Sequence, residues 1–152
     1  MFKKKIIIFS LIFFLSSCGF TPIYLNNNDV NFSIEQINYQ GDRELNNFLK
    51  INLNQYKNLN TDNKIFIEAN TKYEKIVLSK DGTGQITNYR LVAEVVFLIK
   101  PINKRIVFTE KKIMSSMSDK FEETRFEKTT KESFASLISS KLISELIVDK
   151  WF

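Results

Sequence analysis

From Val30 onward the apolar residues switch between a two-residue and a three-to-four-residue spacing, and each switch predicts a change of element. Val30, Phe32 and Ile34 alternate with polar neighbours over Val30–Ile37, the pattern of a half-buried strand. Gly41-Asp42 interrupts it, and Asp42 is a suitable helix N-cap. Leu45, Phe48, Leu49, Leu53, Tyr56 and Leu59 then recur every three or four residues, which predicts an amphipathic helix from about Asp42 to Leu59. Asn60-Thr61-Asp62-Asn63 ends it. Ile65, Ile67, Ala69 and Tyr73 alternate in a second strand, Lys64–Ser79. Lys80-Asp81-Gly82-Thr83-Gly84 reads as a hairpin turn in which Asp-Gly supplies the positive-φ positions. Gln85–Lys100 carries Tyr89, Leu91, Ala93, Val95, Phe97 and Ile99 on one side. A turn over 100–104 follows, where Pro101 blocks extension of the strand. Arg105–Met117 is the fourth strand. The final segment is helical: Asp119 or Thr124 opens it, each with Glu three residues on. Its stripe is Phe134, Leu137, Ile138, Leu142, Leu146 and Ile147, ending near Trp151-Phe152.

The order β-α-β-β-β-α predicts a two-layer α+β sandwich. Two amphipathic helices hide their stripes against one face of a four-stranded sheet. The sheet is mixed if the first strand pairs in parallel across the helix connection. The face without helices is not wholly polar. Val92, Val96 and Leu98 alternate with the Tyr89–Ile99 set, and Ile106 and Phe108 alternate with Val107. Either this surface meets a partner, or long strands tolerate apolar residues on both faces, or a bulge changes the phase.

Ahead of this domain lies a leader. Three lysines, Lys3–Lys5, precede the ten-residue apolar run Ile6–Leu15. A membrane-spanning helix needs about 20 apolar residues, whereas a secretory signal has a core of roughly 7–15 behind a positive start. Leu15-Ser16-Ser17-Cys18 resembles the lipobox of bacterial lipoproteins. That resemblance implies cleavage before Cys18, a diacylglycerol on its sulfur and an acyl chain on its amine. One acyl chain binds a membrane only marginally, while three tether it in effect permanently. Gly19 rather than Asp follows the cysteine, which by the enterobacterial sorting rule directs export to the outer membrane. The chain therefore divides into a signal peptide (1–17), a lipidated N-terminus and linker (18–29) and one folded domain (30–152). The linker reaches roughly 40 Å if extended.

The net charge of +5 does not indicate a nucleic-acid partner, because three of the 22 basic residues are in the leader. The rest of the chain holds 19 basic and 17 acidic residues, without the concentrated basic face that phosphate binding needs. There is no histidine, and Cys18 is the only cysteine, which removes disulfides, Cys/His zinc sites and Ser-His or Cys-His catalysis. Glu122, Glu123 and Glu127 form an acidic cluster that reads as a solvated helix start rather than an acid–base pair. Asp81-Gly82 lacks the flanking acids of a calcium loop. No enzyme, metal or cofactor is expected beyond the covalent lipid on Cys18.

The opening Cys18-Gly19-Phe20-Thr21-Pro22-Ile23-Tyr24 resembles the start of LptE-type lipopolysaccharide-assembly lipoproteins, where Cys-Gly-Phe-x-Pro-Leu-Tyr recurs. The long hairpin with Asp81-Gly82 and Thr87-Asn88-Tyr89-Arg90-Leu91 is similar to that family's second and third strands. The resemblance implies a periplasmic-side lipoprotein of the outer membrane, seated in the lumen of the LptD β-barrel. There it would plug the barrel, help it assemble and assist lipopolysaccharide delivery to the outer leaflet. Lipid A is phosphorylated, so Lys72, Lys75, Lys80 and Arg90 on the hairpin are its candidate contacts. The competing expectation is a free-standing periplasmic lipoprotein that binds a lipid or serves a transporter as an accessory module.

Overall fold

The structure, a computed structural model, describes residues 30–148. The leader, Cys18 with its linker, and Trp151-Phe152 lie outside the described residues. The elements are β1 (Ser33–Gly41), α1 (Arg43–Leu53), a 3-10 turn (Asn54–Tyr56), β2 (Lys64–Lys80), β3 (Ile86–Lys100), β4 (Lys104–Ser115) and α2 (Lys120–Val148). The strands lie side by side in chain order. β1 pairs with β2 in parallel, and the other pairs are antiparallel. Both helices cover one face, giving the mixed-sheet α+β sandwich that the order of elements predicts.

β1 begins three residues later than the alternation suggests, although Val30 and Phe32 are buried. A bulge at Glu35 explains its inner face: Ile34 is opposite Ile65, but Gln36 is opposite Phe66. The extra residue turns Ile37 inward after Ile34, where strict alternation would turn it out. At Gly41 the chain leaves the sheet at φ +94°, and a Cβ there would lie 1.8 Å from the Thr71 carbonyl oxygen. Only glycine fits. Asp42 then caps α1, its Oδ1 accepting from the Leu45 N–H at 2.8 Å.

α1 is shorter than its apolar spacing predicts. It stops at Leu53, a 3-10 turn follows, and Asn58 takes φ +55°. Leu59 therefore packs against the core from a loop, where its N–H donates to the Ser33 hydroxyl at 2.9 Å. The β2–β3 connection also differs from a two-residue Asp-Gly turn. The positive φ falls at Gly84 (+85°). Asp81 Oδ1 accepts from the Thr83 N–H (2.8 Å), the Thr83 hydroxyl (2.7 Å) and the Gln85 N–H (2.9 Å), which closes a longer loop. Asp119, not Thr124, opens α2, accepting from the Phe121 N–H at 2.8 Å.

The core joins Leu45, Leu49 and Leu53 of α1 to Ile138, Leu142 and Leu146 of α2 over Ile65, Ile67, Leu91, Val95, Phe97 and Ile99. Each such side chain contributes about 1.5–3 kcal/mol through burial. One member of the predicted stripe is misplaced: Leu137 is 47% exposed and Ile143 is buried in its stead. The inward line runs 134, 138, 142, 146, with Ala135 and Ile143 turned toward the core rather than Leu137.

Candidate functional site

Strand alternation sorts the sheet's side chains onto two faces, and only one carries helices among the described residues. Register places Val96 opposite Val107 and Arg90 opposite Ile113 on the open face, with Phe66, Ile76, Val92 and Leu98 on the same side. Phe66, Ile76, Val107 and Ile113 are among the exposed large apolar residues. Ile106 and Phe108 lie on the helix side, where Phe108 meets Phe97 edge-on at 6.2 Å. The apolar residues of β4 therefore belong to both faces, and only Val107 and Ile113 belong to the open one.

Charges on the open face are partly neutralised. Lys72 pairs with Glu74 at 2.8 Å, and Lys100 with Glu68 at 2.6 Å. The Glu74 carboxylate holds the Lys72 ammonium above its ordinary pKa. Arg90, Lys111, Lys112 and Ile113 line a shallow depression of about 460 Å³ toward the β2–β3 loop end of the sheet. Lys111 is not among the sequence-derived candidates; the signal that finds it is the register of β4, which sets it opposite Val92 on Arg90's face. Lys112, opposite Leu91, turns to the helix side with its Nζ 4.8 Å from the centre of the Phe126 ring.

Lys75 sits elsewhere. It is on the helix side, where its Nζ donates to Glu123 Oε1 at 2.7 Å and to Glu127 Oε2 at 3.2 Å. It also lies 4.4 Å from the centre of the Tyr89 ring. Burial opposes its charge, but the two carboxylates outweigh that and raise its pKa. Glu123 is only 5% exposed. Hydrogen bonds from Lys75, from the Met117 N–H and from Lys120 hold its pKa down at about 2 against the cost of burial. The acidic cluster is thus not a uniformly solvated helix start: Glu122 is exposed, while Glu123 and Glu127 clamp α2 to β2. A second clamp follows along α2. Lys131 Nζ lies 2.9 Å from Glu44 and 3.8 Å from Asp42, over the Tyr73 ring at 4.2 Å. Burial, with Glu127 nearby, pushes the Tyr73 hydroxyl well above its ordinary pKa.

The four sequence-derived cations therefore do not converge. Lys72 and Arg90 lie on the open face, Lys75 is held under α2, and Lys80 is exposed at the last position of β2. No cluster of three or more metal-ligating side chains occurs among the described residues, and no described helix is long and apolar enough to cross a membrane.

No family model and no curated protein matches the chain. Solved structures do. The rare lipoprotein B of Shewanella oneidensis superposes with a TM-score of 0.57 at 13% identity, over 76% of this chain and 96% of that one. A minor lipoprotein of Acinetobacter baumannii gives 0.51 at 12% identity, over 73% and 94%. Lipoprotein B of Nitrosomonas europaea gives 0.51 at 13%, over 75% and 83%. The class these superpositions define is one of fold: a two-layer α+β domain shared with three bacterial lipoproteins. More particularly, this chain shares the fold of the rare lipoprotein B of Shewanella oneidensis.

Proposed function

We propose that this chain is an outer-membrane lipoprotein of the LptE type. In this reading it is cut before Cys18, lipidated there, and held on the periplasmic side. Its folded body plugs an LptD-type barrel, helps that barrel assemble and assists lipopolysaccharide passage to the outer leaflet. The role is non-catalytic. The observation that carries the reading is the fold, which three bacterial lipoproteins share over most of their length. The leader and the opening after Cys18 supply the membrane address. A wide barrel lumen must be filled, and a two-layer sandwich with one open, partly apolar sheet face is suited to line it. For the phosphates of lipid A, Arg90 with Lys111 on the open face offers the neighbouring cations that Lys75, already paired, does not.

Affinity capture of the tagged chain from solubilised outer membranes tests the reading. A barrel protein of the LptD type should co-purify in near-equal amount, and intact-mass measurement should show a triacylated Cys18 as the first residue. Recovery without any barrel would instead support a free-standing lipid-binding or transporter-accessory lipoprotein. An unmodified Cys18 in a chain retaining Met1 would remove both readings.

A further inference from the structure

We infer that the free edge of β4 and the groove beside it form a docking site for an extended, acidic segment of a partner protein. The site adds a fifth strand to the sheet, and the inference does not depend on the lipoprotein reading. β4 is a twelve-residue strand whose only ladder among the described residues is with β3. An unpaired edge of that length is a template for strand addition. Edge pairing gains specificity when pockets receive alternate side chains, and such a pocket adjoins this edge.

Leu137, Lys141, Ser144, Glu145 and Val148 succeed one another by turns along one flank of α2 and, with Phe108 of β4, line a groove of about 430 Å³. That volume falls in the usual range for binding clefts, about 300–1,000 Å³. Two ion pairs fix the flank against β4: Lys141 with Glu110, and Lys104 with Glu145 at 3.8 Å. The groove's apolar window is Phe108, between these pairs on β4, with the exposed Leu137 and Val148 beyond them along α2. A strand lying along β4 would direct every second side chain into this window.

Charge selects the occupant. Lys104, Arg105, Lys111 and Lys112 bracket the apolar run Ile106–Phe108, with Glu110 the only acid in the strand. A second copy is disfavoured: antiparallel pairing of two β4 strands about Phe108 sets Arg105 opposite Lys111 and Lys104 opposite Lys112. Like charges directly opposite destabilise a ladder. A segment with acids at both ends and small apolar residues alternating between them meets opposite charge at each end.

The test uses the full chain in detergent and two synthetic ten-residue peptides. Both alternate valine and threonine centrally; one has two glutamates at each end, the other two lysines. By fluorescence anisotropy the acidic peptide should bind at least about tenfold more tightly. The preference should invert in the chain carrying Arg105→Glu with Lys111→Glu, two exposed positions whose change leaves folding intact. Leu137→Asp should weaken acidic-peptide binding at least about fivefold with an unchanged circular dichroism spectrum. Equal affinity for the two peptides, no acidic-peptide binding at about 1 mM, a preference unchanged by the double reversal, or self-association through β4 would each overturn the inference.

Discussion

Glu122 and Glu123 are adjacent in the first turns of α2, yet one is exposed and the other is buried against Lys75. Spacing along the helix cannot distinguish them, because the partner that draws Glu123 inward is 48 residues away on β2. Alternation in β2 marks position 75 as inward, but a lysine there reads as exposed unless its carboxylate partners are known. The pairing has a pH signature. The folded-state pKa of Glu123, about 2, is below the ordinary carboxylate value of 4.5. Its contribution is therefore complete above the unfolded-state value and is lost as pH falls through about 2. A shift of this kind is worth on the order of 2–3 kcal/mol at neutral pH. Urea unfolding of the full chain between pH 7 and pH 2 should show stability falling below about pH 4.5. Glu123→Gln should lower stability at pH 7 by about 1–3 kcal/mol and flatten that fall. An equal pH slope in the variant would show that other carboxylates carry the dependence.

Elements were legible where their inward faces are apolar and obscure where they are polar or irregular. The strand assignments of β2 and β3 agree with their alternation to within a residue, because the two strands are held to each other by a long antiparallel ladder. β1 and α1 depart from their patterns for local reasons: a bulge at Glu35, and a positive-φ residue at Asn58 that ends the helical path before Leu59. α2 is divided. Its first half faces the sheet with Glu123, Glu127, Thr130 and Lys131, its second with Phe134, Ile138, Leu142 and Leu146. Ion pairs hold the first half and apolar burial the second, and only the second announces itself by spacing. Ile138→Ala should cost about 2–5 kcal/mol, since Ile138 is fully buried. Amide exchange should report openings of lower free energy over 120–131 than over 134–146. Uniform protection along α2 would show that the ion-paired half is as firmly held as the apolar one.

For the whole molecule, the outcome that sequence left open concerns the face without helices. Two of its alternatives now have structural content. The phase does change, at the bulge in β1 and again near the β2–β3 loop at Leu78 and Thr87, but not where β3 pairs with β4, a ladder unbroken from Asn88 to Ile99. Val92, Val96 and Leu98 of β3 and Val107 and Ile113 of β4 are therefore truly on the open face, interleaved with Arg90, Glu94, Lys100, Arg105 and Lys111. Tolerance and contact then make different demands on exposed positions. Phe66 and Val107 are 48% and 40% exposed, so replacing either by glutamate removes little buried area and should change stability by no more than about 0.5–1 kcal/mol. If this face lines the barrel, the same substitutions put an unpaired charge into a partner interface, where loss is commonly about 2 kcal/mol or more. Phe66→Glu and Val107→Glu should therefore leave the urea midpoint nearly unchanged while cutting barrel recovery in affinity capture by at least about tenfold. Wild-type recovery is the reference, so undiminished capture of both variants would leave the domain in the barrel and move its contact surface to the helices or the β4 edge.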